Sequence, residues 1–301
     1  MAGRSAEVGG SRRGGGGIDR VPGGGIDRVT VNPMALLALP FDQEAAALVA
    51  AGARRLGVAT RKLDALGWAA GLATYRAAGL DVAYLVHGIV AAPTDRDGWA
   101  AEADLLVRAV DTAADLGVPF VYFCSGPPGA ATRWEDAVAA LGDRLAPVVA
   151  RARAAGVGLA LENALSVRTD HSFMFTLRDT AAAARRLGVG VCADLYCCWM
   201  EPDLPATLAA NVDLLHLVQV SDRDQPSMVQ PDRRVPGDGD LPLDQLIGDV
   251  LAAGYRGPFD LELLGPHIDA EGGPGAVRRG VAWIAAALDR VPDRPAGDAK
   301  P

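Results

Sequence analysis

Eight short runs of β-branched and aromatic residues recur along this chain, separated by longer Ala-, Leu- and Arg-rich stretches with helical spacing. They are RVTVN at 28–32, LGVAT at 56–60, DVAYLVH at 81–87, PFVYFCS at 119–125, VGLALEN at 157–163, VGVCAD at 189–194, DLLHLVQVSD at 213–222 and PFDLELL at 258–264. Strand runs that alternate with helices read as βαβ units, since parallel strands need a long crossover between them. Several helical stretches, WAAEADLLVRAVDTAADLG among them, close on a glycine, a residue that suits the left-handed turn at a helix end. Eight such units predict an α/β fold, a closed (β/α)8 barrel, with an open doubly wound sheet as the rival. A length of 301 residues suits one such domain.

Composition narrows the partners. A net charge of −8 disfavours both a nucleic-acid backbone and an anionic membrane surface, which reward excess Lys and Arg. Cys124, Cys192, Cys197 and Cys198 show no zinc-knuckle spacing and read as buried free thiols. There is no run of eighteen apolar residues and no hydrophobic signal sequence, so the expectation is a cytoplasmic protein. Residues 1–28 are Gly- and Arg-rich, carry GGGIDRV twice (15–21 and 23–29) and are expected to be disordered. The barrel is expected over 29–291, with a disordered tail over 292–301.

Active groups of such a barrel sit at the C-terminal ends of the strands, and strand residues alternate between interior and helix layer. In VGLALEN, Gly158, Ala160 and Glu162 share one face; in VGVCAD, Cys192 and Asp194 do; in PFDLELL, Asp260 and Glu262 do. The opposite faces are apolar, so strands 5, 6 and 8 each deliver a carboxylate inward near the mouth: Glu162, Asp194 and Glu262. Converging unpaired carboxylates repel unless a cation or protons offset them, and a divalent metal is the economical explanation. On strand 7, parity places His216 with Val218 and Val220 toward the helices, and selects Gln219 as the inward ligand. A Glu, Asp, Gln, Glu set offers only oxygen, which suits Mn²⁺ or Mg²⁺ (with Co²⁺ a further candidate) better than a soft-ligand metal. Simple pairing of these carboxylates with Arg in the barrel mouth is the structural alternative.

The segments ALENAL at 160–165, ADLYC at 193–197, VQVSD at 218–222, RRVPGDGDLPL at 233–243 and GPFDLEL at 257–263 together resemble the sugar isomerase/epimerase superfamily with the xylose-isomerase-like barrel. The resemblance spans roughly residues 28–290. It implies one divalent metal held by Glu162, Asp194, Gln219 and Glu262, and an acid–base role for Glu162 and Glu262 on opposite sides of a substrate carbon. Many relatives have His on strand 7; hydroxypyruvate isomerase is similar to this chain in having Gln. Where epimerases commonly place a substrate-contacting His, this chain has Cys197, and where they often have an acid it has Arg168. Arg168 either favours an anionic substrate or makes a surface salt bridge. Relatives often form dimers or tetramers, so a homo-oligomer is one expectation.

Other candidates for substrate contact are His87 at the end of strand 3, His171 in the loop after strand 5, and His267 after Glu262. Arg233 and Arg234 precede the PGDGD loop, where relatives carry a substrate-contacting Arg, and parity does not choose between them. Arg61 and Lys62 follow strand 2; Trp199 and Met200 offer an apolar pocket wall. The expected reaction removes a proton alpha to a carbonyl, with the metal holding the developing enediolate, on a small carbohydrate-like substrate. A lyase that expels a β-substituent from a keto-sugar, keto-inositol or keto-glycoside is the alternative. Phosphodiester hydrolysis, also known on this barrel, is disfavoured by four scattered histidines and the negative charge.

Overall fold

The computed structural model describes residues 24–225 and 227–291; the expected disorder of 1–23 and 292–301 lies outside those residues. The strands are β1 (Val29–Val31), β2 (Arg55–Ala59), β3 (Asp81–Gly88), β4 (Phe120–Cys124), β5 (Gly158–Glu162), β6 (Gly190–Asp194), β7 (Leu215–Val220) and β8 (Phe259–Leu261). Each falls inside the run expected for it, apart from the extra Arg55 and Gly88. They pair in sequence order, all parallel, and β1 closes on β8 through Val29↔Phe259 and Val31↔Leu261. The closed barrel therefore replaces the rival open sheet.

Alternation builds two apolar layers. Tyr84, Phe120, Tyr122, Ala160, Cys192 and Leu217 fill the barrel interior, while Leu85, Val121, Leu161, Val191, Val218 and Val220 pack outward against the helices. The long helices Arg96–Leu116 and Trp134–Ala155 end at Gly117 and Gly156, each left-handed at φ 70°, as the sequence pattern implies. Trp68 and Trp99 are buried in the helix layer. Among the described residues, no helix is long and apolar enough to cross a membrane.

Two details depart from the sequence reading. Residues 25–28 are not disordered: they form a 3-10 helix packed on the last helix, Gly273–Arg290. Gly25 N donates to Asp289 Oδ1 at 2.7 Å, and a Cβ at Gly25 would lie 2.3 Å from Ala285 O. Arg28 is buried, donates to Gly257 O and lies 5.1 Å over the Phe259 ring, tying the start of β1 to β8. Glycine content hides such a segment because it signals flexibility, whereas here it permits close approach.

His216 is the second departure. Simple parity puts it with Val218 and Val220, but the β6–β7 register shifts so that Val191 pairs with Leu215 and Cys192 with Leu217. His216 is the extra residue of that bulge, freed from the alternation. It packs edge-on against Phe120 of the inner layer, in space left by Gly158 and Gly190, and its Nδ1 donates to Leu214 O at 2.9 Å. A Cβ at Gly190 would sit 2.2 Å from that ring. The expectation that His216 is not a ligand keeps its force, but the reason is a bulge at the start of β7, not a helix-facing position.

Candidate metal centre and substrate pocket

Glu162 and Asp194 are the last residues of β5 and β6, and Glu262 follows β8 directly, its backbone N donating to Val220 O. All three are buried, and one oxygen from each lies within 4.8 Å of the others. Burial, reinforced by Glu262 and Asp194, pushes the Glu162 carboxyl well above the ordinary glutamate range. Burial likewise raises Glu262, with Arg233 pulling it back down and Asp194 pushing it up.

Arg233 answers the question parity left open. Its Nη2 lies 2.8 Å from both Asp194 Oδ2 and Glu262 Oε2, its Nη1 donates to Ser221 Oγ at 2.7 Å, and it stacks 4.4 Å over Tyr196. Arg234 instead reaches Asp224 at 3.5 Å and is partly exposed. Arginine pairing in the mouth is thus real but insufficient. Three carboxylates against one guanidinium leave an excess of two negative charges when all are ionised. Glu262 Oε2, although close to Arg233, has no hydrogen bond.

Gln219 supplies the other orphan. Beside Asp194 in the β6–β7 register and fully buried, it donates from Nε2 to Tyr122 Oη at 3.2 Å, leaving Oε1 without a partner. Buried amide oxygens without a donor are uncommon. An unsatisfied neutral oxygen next to under-neutralised carboxylates fits a hard divalent cation, whose charge would match the excess. Thiols stand at the margin: Cys197 Sγ donates to Asp194 Oδ2 at 2.8 Å and Cys124 Sγ to Glu162 Oε2 at 3.0 Å.

A cavity of about 600 Å³ opens over Glu162 and Glu262, walled by Met34, Leu66, Val86 and Leu264 and edged by Arg168 and His171. Arg168 makes an ion pair with Asp170 at 2.9 Å, the salt bridge that was one of the two expected roles, and its side chain also lines the pocket. The His171 imidazole is pushed to lower pKa, first by burial and then by Arg168. Arg61 also borders the cavity but is held by Glu102 at 2.8 Å; Lys62 borders it too and pairs with buried Glu44.

Other candidates are not brought together here. His87 points outward from β3, its Nδ1 at 2.8 Å from Thr60 Oγ1 and Nε2 at 2.8 Å from Glu102, with no ring nitrogen left for a substrate. It is one residue out of phase with the inward Val86. His267 is paired to Asp232 at 2.8 Å near the start of a short helix. Trp199 and Met200 do not line the cavity, and Met200 is 71% exposed. Sequence reasoning passed over Tyr122 and Asp260 as site residues. Parity could have found Tyr122, since it shares the inward face of FVYFC with Cys124, and Asp260 precedes Glu262 by one full pleat.

Known structures share this fold. A protein SMc04130 from Sinorhizobium meliloti 1021 superposes with a TM-score of 0.71 at 26% identity, covering 88% of this chain and 97% of its own. The 3-keto-D-glucoside 4-epimerase YcjR from E. coli gives 0.71 at 18% identity, covering 86% and 99%. The IOLI protein with a bound zinc atom gives 0.73 at 16% identity, covering 87% and 98%. No curated protein matches the chain in sequence. The profile that does match, over residues 26–287, is that of the xylose isomerase-like TIM barrel, and with the strand-end carboxylates in place the chain belongs to that family.

Proposed function

We propose that the chain is a divalent-metal-dependent isomerase or epimerase of a sugar or related hydroxy-carbonyl compound. The observation that carries this reading is the pair of buried glutamates with raised pKa on the non-adjacent strand ends of β5 and β8, opening into one cavity. Glu162, Asp194, Gln219 and Glu262 would hold the ion, Mn²⁺ or Mg²⁺ from the oxygen donor set, with Co²⁺ a further candidate. When bound, the ion would polarise the substrate carbonyl and so acidify the adjacent C–H.

The chain's own residues supply the rest. One glutamate takes the proton from its side of the carbon, and the other returns one, from the opposite side for epimerisation. Arg233, the cation already among the carboxylates, offers its guanidinium to substrate oxygens, and Arg168 and His171 close the rim. The apolar wall of Met34, Leu66, Val86 and Leu264 excludes water from the proton-transfer face. Support also comes from the named activity of YcjR, a 3-keto-D-glucoside 4-epimerase, and from the zinc held by IOLI.

The test is deuterium exchange. Mn²⁺-loaded protein is incubated in D₂O with ketoses, keto-inositols and 3-keto-glycosides and followed by NMR and mass spectrometry. Deuterium should enter at one carbon and do so neither after chelation nor in Glu262→Gln. Conserved product mass would mark an isomerase, and loss of water or of a β-linked group the lyase alternative. Metal binding without exchange on any substrate counts against the substrate class, and absence of tight metal binding against the four-ligand centre.

A further inference from the structure

The floor beneath the candidate metal centre is a polar network whose donors and acceptors are fixed in direction. Asp260 lies inward from β8 and is fully buried, with Thr30 Oγ1 and Tyr84 Oη donating to it at 2.7 Å each. Asn32 Nδ2 donates to its other oxygen at 3.2 Å, and Gln219 stands opposite it in the β7–β8 register. A carboxylate that collects donors in this way orients the side chains that supply them.

Asn32 cannot turn over. Its Oδ1 accepts from Met34 N at 3.2 Å while Nδ2 faces Asp260, so the other Nδ2 proton is delivered to Tyr122 Oη at 2.8 Å. Gln219, opposite Asp260 in the β7–β8 register, donates its Nε2 to the same Tyr122 Oη at 3.2 Å. Two amides therefore donate to one phenol oxygen, and both its lone pairs are taken. The Tyr122 O–H proton has no acceptor among the described residues, and Tyr122 lines the cavity beside Glu162 and Glu262.

From this arrangement we infer that Tyr122 is a substrate-binding residue, a preset hydrogen-bond donor on the pocket floor for the oxygen that gains negative charge as the proton leaves, with Asp260 as the positioning residue that sets its direction through Asn32. The inference rests on the proton-transfer reading above and adds to it a group outside the ligand set. A donor already aimed needs no reorganisation as charge develops, which is what makes such groups effective in catalysis. It also specifies the ligand: an oxygen acceptor must sit low in the cavity, so a substrate with a bare methylene there would be bound poorly.

The experiment uses the Mn²⁺-loaded full chain and glycolohydroxamate, a planar anionic mimic of an enediolate, with both affinities measured by calorimetry. Tyr122→Phe should bind Mn²⁺ within about twofold of wild type, since Asn32 keeps Asp260 and no proposed ligand atom is removed. It should weaken hydroxamate by about 10- to 100-fold, the value of a hydrogen bond to a charged group. Asp260→Asn, which keeps the hydroxyl but releases the Asn32 amide, should weaken hydroxamate in the same direction. Equal hydroxamate affinity in wild type and Tyr122→Phe, with Mn²⁺ binding intact, would overturn the inference while leaving the metal centre standing. A wild type that takes up Mn²⁺ but not hydroxamate would remove the proton-transfer reading first and this inference with it. Thermal melting of each variant identifies loss of the fold, and Tyr122→Leu then repeats the comparison if the Phe variant melts early.

Discussion

Asp260 and Glu262 stand two residues apart on the same face of one strand, both carboxylates, both buried, yet their surroundings are opposite. Asp260 collects two hydroxyls and an amide, whereas Glu262 Oε2 meets one guanidinium without hydrogen-bonding geometry. A third carboxylate, Glu102, behaves like Asp260: Arg61, His87 and the Val90 amide saturate it. Burial alone therefore does not mark a working group. Of these three carboxylates, only Glu262 keeps a buried oxygen to which the chain supplies no donor.

The comparison breaks most visibly in the glutamates. Glu262→Gln and Glu162→Gln should each lower deuterium exchange by about 10²- to 10⁴-fold, the range for loss of a positioned acid or base. Neither should lower the melting temperature of the metal-free protein, because each removes a buried charge that lacks full compensation. Exchange that survives both substitutions would place the chemistry elsewhere in the pocket.

Asp260→Ala should do the reverse for stability. Thr30, Tyr84 and Asn32 would be left with buried donors facing a void, at about 1–3 kcal/mol for an unsatisfied group and more where several are stranded. Urea denaturation of metal-free protein should show a loss of about 3 kcal/mol or more for Asp260→Ala and little or none for Glu262→Gln. Equal losses would erase the distinction between the two carboxylates.

How far the sequence carried this distinction is instructive. Period-two alternation made the strands, the barrel and the inward placement of Glu162, Asp194 and Glu262 legible, because an apolar opposite face leaves only one arrangement. Alternation failed where the ladder itself is irregular: the bulge at His216 shifts phase, and no residue type announces it. His87 misled by its position at a strand end, where parity with Val86 would have turned it outward. The saturation of Asp260 was illegible because its partners come from β1, the residue just after it, and β3, and meet only when the barrel closes. Arg233 and Arg234 are adjacent, and only the loop's path back over the mouth separates them.

The pH dependence of stability follows from the buried glutamates of the site, and Asp260, which burial also raises, acts in the same direction. Glu162 and Glu262 both have folded-state pKa values raised above the ordinary 4.5, so above that pH the native state binds more protons than the unfolded state. Their contribution is present below about 4.5 and is lost as pH rises through the raised values. His171, whose pKa is lowered from 6.5, acts in the opposite sense and only below about that pH. Metal-free protein should accordingly melt lower at pH 8 than at pH 7. Mn²⁺ at a hundred times its dissociation constant should add about 2.7 kcal/mol. A metal-free melting temperature that climbs from pH 7 to 8 would show that the glutamates ionise without strain.

The smallest effect is expected at Cys197, the departure from the histidine common in epimerase relatives. Its thiol donates to Asp194 Oδ2, and a serine hydroxyl at the same place can donate to the same oxygen. Asp194 also keeps Arg233 and its contact to Tyr196 N, so its orientation does not depend on residue 197. Cys197→Ser should therefore change exchange by less than about threefold and stability by less than about 1 kcal/mol, near the worth of one neutral hydrogen bond. Cys197→Ala removes the donor altogether and should weaken Mn²⁺ retention only slightly, because Asp194 loses its least needed partner. A loss in Cys197→Ser comparable with that of Glu262→Gln would move the thiol from the margin of the site into its working set, and would make sulfur part of the ligand chemistry.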